Sequence, residues 1–171
     1  PLVRDTTSHY KSNPDLPFRE RLLKQLADIA RTGGPEYGSR PYGTANLAPI
    51  LTLAALSKDA EVKRAAQMAH EAVLARYAAV WLRGSLILSS RRSYPDTFND
   101  PVGLTSYLWV FFGGDLVSTD KAITPETPMF NVFGPCLDAA VLAGDVPDIL
   151  QRIATQRTQP YEVRNRFEER S

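Results

Sequence analysis

Cysteine is nearly missing from this chain. A single residue, Cys136, stands among 171, which rules out an internal disulfide; with only His9 and His70 beside it, no Cys or His cluster is available for a structural zinc site. Set among Pro135, Leu137 and Ala139, the thiol reads as buried packing. An excess of charge is lacking too. Lys and Arg number 20 against 19 Asp and Glu, and a net charge of +1 provides no field to hold a nucleic acid or an anionic membrane. No apolar run approaches the ~20 residues of a membrane span. Glycine-rich phosphate loops, nucleophile elbows and HExxH motifs are absent, so nucleotide-dependent, serine-hydrolase and zinc-protease readings drop out, and neither a cofactor nor a metal is expected. The chain opens on Pro1 without a signal-peptide pattern and closes on the charged RNRFEERS. It reads as a processed, truncated or domain-only piece, with its compartment unassigned.

What is present is a helical rhythm in a chain that is 43% apolar, long enough for one core and one domain. Residues 1–15 carry turn-forming types without periodicity. Phe18, Leu22, Leu26 and Ile29, with Leu23 and Ala30 beside them, then recur at helical spacing, between Pro17 as a first-turn residue and Gly33-Gly34 as a stop. The stretch PEYGSRPYGTAN, with two prolines, two glycines and two tyrosines, predicts an ordered loop. Asn46 stands before LAPILTLAAL, a short buried helix in which Pro49 fits only within the first turn. Asp59 or Ser57 caps a long helix over 60–81, whose Val62, Ala66, Ala69, Val73, Tyr77 and Val80 trace one face and which Gly84 ends; its many alanines predict close helix packing. Leu86, Ile87 and Leu88 fit strand or loop core. Residues 101–112 predict a buried helix, with a strand as competitor. No helix is expected over 115–133. A helix over 134–143 is capped by Gly144, and a last one over 146–157 turns Ile149, Leu150 and Ile153 inward. Residues 158–171 form a charged, incompletely packed tail. The fold expected is all-α, built from helical hairpins.

EYGSRPYGTANLAPILTLAAL, followed by DAEVKRAAQMAHEAVLARYAAVWLRG and SSRRSYPD, resembles bacterial α/α-toroid proteins similar in architecture to polysaccharide lyases and toroidal glycosidases. The likeness covers roughly residues 16–112 and implies an arc of such a toroid. It implies a carbohydrate-active protein, in the lyase case acting by β-elimination on an acidic polysaccharide. Asn46 and Arg92 would neutralise a uronate carboxylate, and Tyr94 or Tyr42 would move the proton, its pKa lowered by nearby arginine. Glu36, Tyr37, Arg91, Asp96 and Trp81 would line the substrate path. No histidine lies in these loops, which puts a histidine-assisted version in doubt. A glycosidase would need two carboxylates across a cleft, drawn from Glu36, Asp96, Asp100 and Asp115.

Every one of these residues has a plainer role. Asn46 suits a helix N-cap, Tyr37 and Tyr42 suit ring packing with a wet hydroxyl, and Arg83, Arg91 and Arg92 suit helix capping or pairs with Asp96 and Asp100. His70 suits a structural position, and Trp81 and Trp109 suit burial. A non-catalytic scaffold that binds a partner through 36–46 and 89–100 is therefore the alternative. The apolar 47–56 face also predicts a cover, either a second copy or a further segment.

Overall fold

The computed structural model describes residues 17–35, 37–88, 103–114, 134–142, 144, 146–157 and 160–163. Six helices and one small hairpin account for most of them: α1 (Phe18–Thr32), α2 (Arg40–Leu56), α3 (Ala60–Ala78), β1 (Trp81–Leu82), β2 (Ser85–Leu86), α4 (Leu104–Phe112), α5 (Gly134–Leu142) and α6 (Asp148–Thr155). The all-α expectation holds, and helix wins over strand in the segment that became α4.

α3 is the centre. Asp59 caps it as expected, its carboxylate accepting from the Glu61 and Val62 backbone N–H groups. Ala66, Ala69 and Ala78 on its inner side are completely buried, so α1, α2 and α6 approach its backbone closely. Below them Val73, Leu74 and Tyr77 join Leu26 and Ile29 of α1 and Leu47, Ile50 and Leu51 of α2 in one core. At its N-terminal end Arg19 of α1 pairs with Asp59 at 2.7 Å and with Glu61, holding the two helix starts together.

Several boundaries fall elsewhere than the sequence suggests. α2 begins at Arg40, inside the stretch read as a loop, and its glycine has a packing role. A Cβ on Gly43 would lie 2.7 Å from Leu104 Cδ2, so the missing side chain lets α4 seat against α2. Pro49 accordingly lies mid-helix, not in the first turn. It is tolerated because Pro49 and Ala45 are both exposed, and solvent can take the Ala45 carbonyl that the proline cannot bond. Asn46 is likewise interior to the helix and is no N-cap.

α3 stops at Ala78 and Gly84 does not end it; the chain instead makes a tight hairpin. Trp81 pairs with Leu86 and Leu82 with Ser85, across a turn in which Arg83 and Gly84 both have positive φ, 48° and 90°. That pair of angles matches the right-handed twist of the strands. Trp81 and Trp109 donate their indole N–H groups to the carbonyls of Gly113 and Gly114, at 3.1 and 2.8 Å, which pins the end of α4 to the hairpin.

Phe18 is exposed at the start of α1 instead of joining the apolar stripe. In α6 Leu150 and Ala154 face inward, whereas Ile149, expected inside, is 57% exposed and Ile153 is also exposed. This short helix packs against α3, α4 and β1, and Leu150 and Ala154, four residues apart, form its one buried face. Beyond α6, Arg157 and Tyr161 donate to the carbonyls of Ala78 and Ala79, both at 2.6 Å, and the guanidinium lies over the tyrosine ring. This part of the tail is fastened to the C-terminal end of α3, where a cation complements the helix dipole.

Candidate functional site

The tyrosine and glycine stretch folds into a joint between α1, α2 and α3. Tyr37 stacks on Tyr77 with ring centroids 4.8 Å apart, and the Gly38 N–H donates to the Tyr77 hydroxyl at 3.2 Å. Asn46 Nδ2 donates to the Pro35 carbonyl at 2.8 Å, fixing the entry of the chain into α2. Gly33, with φ of 85°, caps α1 and leaves room for the Tyr37 ring, whose Cδ2 would be 2.6 Å from an added Cβ. Burial pushes Tyr37 up to about 12, partly offset by Arg76, and pushes Tyr77 higher still. Both stay protonated at neutral pH and neither is poised as a base. The residual gap among these residues is about 10 Å³, enough for no more than one water.

Of the sequence-predicted site residues, this joint contains Asn46 and Tyr37, both with internal roles. Tyr42 stands on the first turn of α2, 39% exposed. Trp81 is 1% exposed and turned toward Gly113. Glu36, Arg91, Arg92, Tyr94 and Asp96 lie outside the described residues, as do Asp100, Asp115 and the Cys136 side chain.

A different concavity opens on the other side of α3. It has a volume of about 260 Å³ and lies between α2, α3, α4 and the residues Leu142, Gly144, Val146 and Pro147. Its apolar wall includes Leu51, Ala54, Phe111 and Val146. Its polar wall is a single row on α3, Lys63, Gln67, His70 and Glu71, residues three or four apart that therefore share one helix face. His70 forms the floor. Its Nε2 is 2.9 Å from the Tyr107 hydroxyl, and its ring meets Phe111 edge-on with centroids 5.3 Å apart. Burial pulls its pKa down to about 4, so the imidazole is neutral at pH 7. The sequence reading of His70 as structural agrees with its burial; the hydrogen bond to Tyr107 and the position on a cleft come from the structure alone. The row at 63, 67, 70 and 71 was the available signal; it is hard to see because solvated helix faces carry the same residue types at the same spacing.

Chemically, such a site offers a neutral imidazole, the ammonium of Lys63, the amide of Gln67 and the carboxylate of Glu71 along one side and hydrocarbon along the other. Among the described residues no three His, Cys, Asp or Glu side chains lie together as a metal site, and no helix is long and apolar enough to cross a membrane. Comparison of the chain with protein-family models, with curated proteins and with solved structures finds no match.

Proposed function

We propose that this chain is a helical binding domain that takes a small, largely apolar molecule into the cleft beside α3. One observation carries the reading: a buried, neutral His70 lines a 260 Å³ concavity in which the apolar side chains of Leu51, Ala54, Phe111 and Val146 face the polar row of Lys63, Gln67 and Glu71. That combination of hydrocarbon walls with a few fixed polar groups is what small-molecule sites share. The polar groups of Tyr37, Asn46 and Trp81, by contrast, are engaged inside the fold or buried. The test is an NMR titration of amide-labelled protein with the uncharged probe 3-phenylpropan-1-ol. Shifts concentrated at Ala54, Gln67, His70 and Phe111, and abolished by a cleft-filling Ala55→Phe, are expected. Shifts that are absent, or that survive Ala55→Phe unchanged, overturn it.

A second reading is β-elimination on an acidic polysaccharide by an arc of a toroid. The exposure of Tyr42 at the start of α2 favours it, because an acid-base tyrosine must reach substrate. It predicts new absorbance from unsaturated uronide ends on at least one of a panel of uronate polymers, lost in Tyr42→Phe. No absorbance on any polymer sinks it.

A further inference from the structure

The cleft has a charge asymmetry that its volume alone does not reveal. Lys63 and Glu71 stand at opposite ends of the polar row, about 12 Å apart along α3 at 1.5 Å per residue. They are not equivalent. Lys63 is half-buried, whereas Glu71 is exposed, as is Gln67. Neither charge has an ion-pair partner among the described residues. A lysine whose side chain is partly withdrawn from solvent at the mouth of a cleft meets an arriving ligand more closely than does a carboxylate on a fully exposed residue. His70 adds no competing positive charge at pH 7, because burial keeps it neutral. Lys63 is therefore the single cation lining the cleft among the described residues.

Size narrows the ligand further. An apolar cavity of ~150 Å³ holds benzene, so 260 Å³ admits a body of roughly ten heavy atoms. From Lys63 to His70 the helix rises about 10 Å, close to the length of a short chain ending in a ring. A group held at the rim by Lys63 thus leaves the far end of such a body against Phe111 and His70.

We infer that the cleft selects a small monocarboxylic acid with a compact aromatic or branched aliphatic body, the carboxylate at Lys63 and the apolar end between Leu51, Ala54 and Phe111. This rests on the binding-domain reading above and names its ligand class. Three probes with the same body and different head groups separate the two: 3-phenylpropanoate, 3-phenylpropan-1-ol and 3-phenylpropylamine, each titrated by NMR against the whole chain at pH 7. For ligands of this size, Kd on the order of 1 mM is expected for the alcohol, with the acid about five-fold tighter and the amine weaker than the alcohol. Lys63→Met should remove the advantage of the acid over the alcohol. Lys63→Glu should reverse the order of acid and amine. Both changes are at a partly exposed position, and unchanged amide spectra away from the cleft would establish that the variants fold. If the alcohol binds in the cleft but the acid gains nothing over it, or the amine binds best, the ligand class is wrong and the binding-domain reading survives. If none of the three perturbs the cleft, both fall.

Discussion

Tyr77 and His70 lie about two turns apart on the same helix, both buried and both hydrogen-bonded, yet their surroundings differ in kind. Around Tyr77 every neighbouring element closes in: Tyr37 stacks on the ring, the Gly38 N–H reaches the hydroxyl, and the gap that remains holds at most a water. Around His70 one side is closed by Tyr107 and Phe111 and the other opens to a cleft of about 260 Å³. The difference teaches that richness in Tyr, Gly and Asn does not by itself mark a site. Those residue types also make the tight joints that hold helices in place, and here the alanine-rich middle of α3 carries the open surface.

The comparison can be broken most directly at the closed end. Tyr77→Ala removes a stacked ring and leaves a void, and should cost about 4 kcal/mol in chemical denaturation, against about 1 kcal/mol for Tyr77→Phe, which removes only the hydroxyl. A cost below about 1 kcal/mol for Tyr77→Ala would show that this end is no firmer than the other.

At the open end, pH is the probe. The folded pKa of His70 is about 4, below its ordinary 6.5, so the unfolded chain takes up the proton first. The contribution is fully present above about pH 6.5 and is lost as pH falls toward 4, by up to about 3 kcal/mol. His70→Gln should flatten that window in a series of denaturation curves. It should leave intact the separate loss below the ordinary 3.8 of Asp59, whose carboxyl is held down at about 2 by the Arg19 hydrogen bond first and the Val62 N–H next.

Smaller effects sharpen the contrast. Asn46→Ala should cost about 1 kcal/mol through the lost bond to the Pro35 carbonyl, with probe binding in the cleft unchanged by NMR; weakened binding would mean that the joint and the cleft are coupled. Arg19→Ala, at an exposed ion pair, should leave the denaturation midpoint nearly unchanged.

Local chemistry in the sequence determined a good part of this fold. The apolar spacing of α1 and α3, the Asp59 cap and the glycine pair after Thr32 place helices where they form, because each signal acts within a turn or two of itself. The same local rules misplaced the start of α2, the end of α3 and the inward face of α6. Gly43 serves a neighbour sixty residues away, Gly84 serves a hairpin, and the facing of Ile149 depends on what α3 leaves free. Tertiary structure alone decided which polar side chains are locked inside and which line a space. Convergence depends on how helices distant in sequence pack, and no spacing within one helix reports that; Asn46 and Lys63 are equally polar to a reader of the chain, and only packing gives one a backbone carbonyl and the other an open cleft.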